Sequence, residues 1–184
     1  MFGTFAKGVA VKSTKFLYGL LALAALLLGI LAQSWLSGES TAPRNGAPPE
    51  PVTLRDLDGN PHDIAELKGK IVVLNFWATW CAPCREEMPE FVRLQTELGD
   101  KGVQFVGIAI DESEAVQDFL RETPVNYPIW LGDERAAAWA ESLGNRLNVL
   151  PFSAVFDRAG QQVDAHTGPF SREQLMKVLE ALLH

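Results

Sequence analysis

At 184 residues the chain has room for one ordinary domain and an additional segment. Hydrophobic residues make up 47% and charged residues 21%, which excludes a disordered chain. The 16 Lys+Arg and 23 Asp+Glu give a net charge of −7, and three lysines (Lys7, Lys12, Lys15) precede the first acid, Glu39. The 13 basic and 23 acidic residues that remain sum to −10, a charge that repels a phosphate backbone and excludes a nucleic-acid partner. Two cysteines exclude a multi-disulfide scaffold and a four-sulfur zinc site. No repeat points to a solenoid or propeller.

Residues 1–15 form a basic N-terminus. Phe16 to Leu36 follows without a charge. These 21 residues span about 31 Å as a helix, enough for the hydrocarbon core of a bilayer. Trp35 suits the membrane–water interface. Two readings compete, an uncleaved anchor and a cleaved signal segment with Ala32-Gln33-Ser34 as its processing site; the apolar run exceeds what a signal needs and favours the anchor. No cysteine is near enough for a lipid anchor. Both readings keep the lysines in the cytoplasm and export the rest. Residues 37–51 contain four prolines among fifteen residues and read as a semi-extended tether. The folded domain is expected over 52–184.

In that domain, Val52 to Leu57 and the turn Asp58-Gly59 predict a short hairpin closing near His62–Ile64. Leu67 to Lys70 reads as a turn. Lys70 to Trp77 (KIVVLNFW) is a continuous β-branched and aromatic run, as a strand covered on both faces requires. Pro83 opens a helical pattern with Met88, Phe91, Leu94 and Leu98 on one stripe. Glu86 and Glu87 are read as acids favoured by the positive end of that helix, and Pro89 predicts a kink. Gly99-Asp100 ends the helix. Val103 to Ile110 predicts a second buried strand. Ser113 to Arg121 predicts a helix with Val116, Phe119 and Leu120 inward. Tyr127 to Leu131 is a short strand and Asp133 to Leu143 an alanine-rich helix. Phe152 to Asp157 and Gln161 to Thr167 form a hairpin around Ala159-Gly160. Ser171 caps a last helix to Leu183, with Leu175, Val178, Leu179 and Leu182 inward. This order implies an α/β fold: a mixed sheet with helices on both faces.

Both cysteines fall in Trp80-Cys81-Ala82-Pro83-Cys84, where a buried strand gives way to a helix. Free N–H groups and the helix dipole at that end stabilise a thiolate on Cys81, the reactive species of disulfide exchange. Cys84, one turn further in, would act second. A zinc site needs two more ligands, and His62, His166 and His184 have no paired spacing. Haem attachment needs His where Arg85 stands. A three-residue disulfide loop is a poor structural staple, which favours redox use. Pro151 precedes a strand, as a strand-start proline or as a cis residue presenting backbone beside the dithiol.

LNFWATWCAPCREEMPEF (Leu74 to Phe91) resembles the active-site segment of the thioredoxin superfamily, and within it the TlpA/ResA-like branch of membrane-tethered, exported thiol–disulfide oxidoreductases. The resemblance continues through VGIAID, YPIWLGD, LPFSAVFDRAG and the last helix. It implies a thioredoxin-like fold with an N-terminal hairpin and a central insertion. It further implies Cys81 as nucleophile, Cys84 as resolving thiol and Pro151 as a cis-proline facing them. Trp80, Pro83, Leu150 and Pro151 would form the substrate-binding surface, while Trp77 is read as core. Thioredoxin carries a buried Asp where Asn75 stands, and Asn cannot transfer a proton. The TlpA/ResA-like branch has an acid after the strand ending at Ile110, which Asp111 or Glu112 matches, each equally a helix-cap acid. Phe152-Ser153 follows Pro151 where Thr is common.

The resemblance implies a protein disulfide reductase on the extracytoplasmic side of the cytoplasmic membrane. It would serve exported thiols, for example in cytochrome c maturation or copper-site assembly, and draw electrons from a membrane thiol donor. Its redox-active group would be the Cys81–Cys84 disulfide, with no other cofactor and no metal. Alternatives are a copper(I) carrier on the cysteine pair with His166, and a disulfide-forming oxidant. Relatives that carry copper space their cysteines by three residues, against two here. A peroxiredoxin-type peroxidase needs Thr or Ser where Ala78 stands.

Overall fold

The computed structural model describes Tyr18 and residues 52–184. The basic N-terminus, the apolar segment apart from Tyr18, and the tether lie outside the described residues. Among the described residues no helix is long and apolar enough to cross a membrane.

The elements run β1 (Leu54–Asp56), β2 (Pro61–His62), β3 (Ile71–Trp77), α1 (Ala82–Leu98), β4 (Val103–Ala109), α2 (Ser113–Glu122), β5 (Ile129–Leu131), α3 (Glu134–Ser142), β6 (Phe152–Phe156), β7 (Gln162–Thr167) and α4 (Arg172–Leu183). They form one seven-stranded sheet in the order β2-β1-β5-β4-β3-β6-β7. β3 pairs parallel with β4 (Ile71 to Val103, Trp77 to Ala109) and antiparallel with β6 (Phe76 to Phe152). β5 is parallel to β4, and the β1–β2 hairpin joins the sheet through β5. The sheet is mixed and carries the N-terminal hairpin that the resemblance implies.

All seven residues of β3 are buried, as its uninterrupted apolar run requires. Alternation sends Ile71, Val73 and Trp77 to one face, against Met88, Phe91 and Leu94 of α1, Val116 of α2 and Leu175 and Leu179 of α4. Val72, Leu74 and Phe76 face the other way, onto Ala136, Trp139 and Ala140 of α3. Each large apolar side chain buried this way contributes about 1.5–3 kcal/mol. Gly107 of β4 allows the close packing: a Cβ there would lie 2.5 Å from Ile129 Cδ1 and 3.0 Å from Trp77 Nε1.

Two local features depart from expectation. Ile64–Leu67 is a 3-10 helix rather than the end of a strand, held by a capping box between Asp63 and Glu66. Glu87 is not an exposed acid near the helix start; it is buried among the core residues of α1. The other helices begin and end within a residue or two of their sequence signals, with Asp133 and Ser171 as side-chain caps.

Candidate active site

β3 delivers the chain to a tight turn. Trp77 O accepts from Ile110 N (2.8 Å), and Cys81 N donates to Ala78 O (3.1 Å). Between them, Thr79 N and Thr79 Oγ1 both donate to Asp111 Oδ2, at 2.9 and 2.5 Å. Asp111 Oδ1 accepts from Glu112 N at 2.9 Å. Asp111 therefore holds the strand-to-helix turn that aims Cys81, and Glu112 sits at the N-cap of α2 without a side-chain cap bond.

Cys81 is the N-cap of α1. Its sulfur accepts from the Cys84 N–H at 3.3 Å, the orphan-donor contact expected at a helix start. The two cysteines are joined as a disulfide, with Cα atoms 5.3 Å apart. Cys81 is 5% exposed and Cys84 0%, so a partner can reach only the first sulfur. Trp80 is 67% exposed beside it, whereas Trp77 is fully buried, as read from the sequence. Pro83 sits in the first turn, half-buried.

Glu87 lies one turn after Cys84, on the same face of α1. Its Oε1 accepts from Asn75 Nδ2 at 2.7 Å and its Oε2 from Phe170 N at 2.8 Å. Asn75 also donates to the buried Ser153 Oγ at 3.1 Å. The residue is 6% exposed, and burial pushes its carboxyl up to about 7 against the two hydrogen bonds that favour the charged form. Asn75 cannot transfer a proton, but it orients an acid that can. The sequence carried a signal for this: Glu87 falls on the stripe of Cys84, Met88, Phe91 and Leu94, where a charge is out of place.

The opposite wall comes from the loop before β6. Because Phe152 pairs with Phe76, Pro151 stands at the end of the sheet from which β3 leads to the dithiol. The Leu150–Pro151 peptide is cis. Leu150 packs against the core cluster that includes Cys81 and Cys84. Asn145 is buried and clamps the loop by two hydrogen bonds, Nδ2 to Val149 O (3.0 Å) and Val149 N to Oδ1 (3.1 Å). Asn148 takes φ +48°, an αL value that Asn tolerates. The clamped loop leaves Leu147 79% exposed. Sequence reasoning passed over Asn145, whose Gly144-Asn145 setting reads as an ordinary turn.

His166 stacks on Phe170, ring centroids 4.3 Å apart, with Nε2 3.0 Å from Pro169 O. Among the described residues no group of three or more His, Cys, Asp or Glu is arranged to hold a metal ion.

The Redoxin family pattern matches residues 41–183. The chain is 34% identical over 130 residues to the thiol-disulfide oxidoreductase ResA of Bacillus cereus, covering 70% of this chain and 73% of that one. It is 31% identical over 164 residues to ResA of Geobacillus thermodenitrificans, covering 89% and 91%. Among solved structures, a thiol:disulfide interchange protein of the thioredoxin family from Chlorobium tepidum superposes with a TM-score of 0.69 at 28% identity, covering 78% of this chain and all of the other.

Proposed function

The chain belongs to the Redoxin family and is a thiol–disulfide oxidoreductase; from that premise we propose that it works as a reductant of disulfides in exported proteins, held at the membrane by residues 16–36. The observation that carries this reading is the buried acid behind the dithiol, Glu87, one turn from Cys84 and fixed by Asn75 and Phe170 N–H. A carboxylate one turn from Cys84 disfavours a second negative charge there, so a Cys84 thiolate is not stabilised against the disulfide, which is the more stable form. Ala82 and Pro83, between the cysteines, offer no cation or side-chain donor to a thiolate, unlike the environments that most depress a cysteine. A dithiol poised this way gives electrons away.

The cycle begins with the Cys81 thiolate attacking one sulfur of the partner's disulfide. A Cys81–partner bond forms and the partner's other sulfur leaves as a thiolate that takes a proton from water. Cys84 then passes its proton to the Glu87 carboxylate and attacks Cys81 Sγ. The Cys81–partner bond breaks, the second partner sulfur takes a proton from water, Glu87 gives the proton from Cys84 back to water, and the Cys81–Cys84 disulfide remains. Two electrons and two protons reach the partner. A thiol donor on the membrane must restore the dithiol. Trp80, Pro83 and Leu150 are the surfaces a partner chain meets, Pro151 is buried and fixes the loop behind them, and Asp111 positions the turn before Cys81. Cysteine pairs awaiting haem or copper are the substrates that the relatives' branch implies.

The test is a single turnover. Reduced protein mixed with excess disulfide-bridged peptide should release one peptide dithiol per Cys81–Cys84 pair. Oxidation of the reduced peptide by the disulfide form, going to completion at equal concentrations, would reverse the assignment of direction.

A further inference from the structure

The ladder between β6 and β7 pairs Phe152 with Thr167. One step beyond it, Gly168 N–H donates to the Pro151 carbonyl at 2.9 Å. Gly168 then takes φ +91°, a conformation that glycine adopts without strain. The chain turns, and the Phe170 N–H reaches Glu87 Oε2 at 2.8 Å. Two backbone donors, two residues apart, therefore hold the cis-proline on one side and the acid behind the dithiol on the other. The segment is pinned at its far end by the buried Phe170 ring, on which His166 stacks.

We propose that the Gly168–Phe170 segment links the charge on Glu87 to the seating of cis-Pro151, so that proton transfer from Cys84 to Glu87 loosens the partner-docking loop as the mixed disulfide is resolved. This rests on the reading of Glu87 as the acceptor of the Cys84 proton. The Phe170 hydrogen bond is charge-assisted while Glu87 is ionised and falls to about half that strength once the carboxyl is neutral. No bond beyond those of the cycle is made: Cys84 Sγ–H loses its proton, Glu87 gains it, and the donor N–H of Phe170 is left with a poorer acceptor. Release of the partner is then timed to the step that makes it free to leave. Gly168 and Phe170 are positioning residues in this scheme, since neither touches the reacting sulfurs.

Other titratable groups face the same region. Cys84 is on α1 with Glu87. Glu90, one turn on, is paired with Arg93 and Arg172. Tyr127, ahead of β5, has its phenol pushed above the usual range by burial and stays neutral near pH 7. His166 reaches the segment through the Phe170 ring.

The test uses the oxidised full chain, in which neither cysteine titrates, followed by backbone amide and side-chain carboxyl NMR from pH 5 to 9. The Phe170 and Gly168 amides should both shift with the midpoint of the Glu87 carboxyl. Corrected hydrogen exchange at Gly168 should be roughly fivefold faster on the acid side. Both responses should vanish in Glu87→Gln and persist in His166→Phe, which keeps the stacking and removes the imidazole. A Gly168 amide that stays flat while Phe170 follows Glu87 overturns the link, as does a Gly168 titration surviving in Glu87→Gln or lost in His166→Phe. A Glu87 carboxyl that does not titrate between pH 5 and 9 overturns instead the reading of Glu87 on which the link rests.

Discussion

Replacing Glu87 by Gln keeps the side-chain volume and removes the charge. In the folded protein burial raises the Glu87 carboxyl from 4.5 to about 7. The folded state therefore binds a proton more tightly than the unfolded chain. Its contribution to stability is fully present below about pH 4.5 and is lost as pH rises through about 7. A shift of this size corresponds to about 3 kcal/mol, at roughly 1.4 kcal/mol per pH unit. The variant has no such dependence. It does lose one hydrogen bond at every pH, because an amide cannot accept from both Asn75 Nδ2 and Phe170 N–H. Measured against the protonated parent that loss is a fixed offset, and the change of the Phe170 bond with charge is already contained in the carboxyl's shift, so the informative quantity is the difference between variant and parent as a function of pH. Urea unfolding of the oxidised proteins from pH 4.5 to 8.5 should show the variant gaining about 3 kcal/mol relative to the parent, with most of the change between pH 5 and 7.5. A difference that stays flat across this range would refute the placement of a proton-binding acid behind the dithiol. In the reduced protein the same substitution should slow the resolving step roughly 100-fold near neutral pH, the usual contribution of a positioned base.

Cys84→Ser should arrest the reaction as a stable Cys81–partner disulfide, whereas Cys81→Ser should give none; electrophoresis without reductant distinguishes them, and trapping on Cys84 in the latter would reverse their roles. Asn145→Ala removes both hydrogen bonds to Val149 and should cost about 1–2 kcal/mol in urea unfolding. It should also lower kcat/KM for a peptide disulfide more than for a small symmetrical disulfide, and equal losses would deny the loop a docking role. Asp111→Asn weakens the bonds from Thr79 and should cost about 1–2 kcal/mol without moving the pH profile of the resolving step. A profile displaced by Asp111→Asn or Glu112→Gln, and not by Glu87→Gln, would transfer the proton-accepting role to that residue.

Much of this architecture is legible in the chain because local and tertiary signals agree. The run from Lys70 to Trp77 has only one place to go in an α/β fold, the sheet centre, and β3 is buried throughout. Ser171 and Asp133 mark helix starts by the chemistry that caps them. Cys81 and Cys84 declare themselves by type and spacing. Less legible were features whose meaning depends on distant partners. Glu87 satisfies the helix-dipole rule for an exposed acid equally well; only the arrival of Asn75, 12 residues away, and Phe170 N–H, 83 away, makes it a buried one. Asn145 is likewise unremarkable until its side chain is seen to close the loop ahead of Pro151. The 3-10 turn at Ile64–Leu67 could have been read, since Asp63 and Glu66 stand at capping-box spacing, but four residues are too few for periodicity to speak.

The direction of electron flow is the claim on which the account turns, and the reduction potential of the Cys81–Cys84 pair measures it. The fragment from Ser37 to His184 would be equilibrated against glutathione buffers and the dithiol fraction quantified. A potential at or below about −220 mV is the expected result, that of a reductant needing an external thiol supply. A value near about −120 mV would make the protein an installer of disulfides and contradict the proposed direction while leaving the site intact.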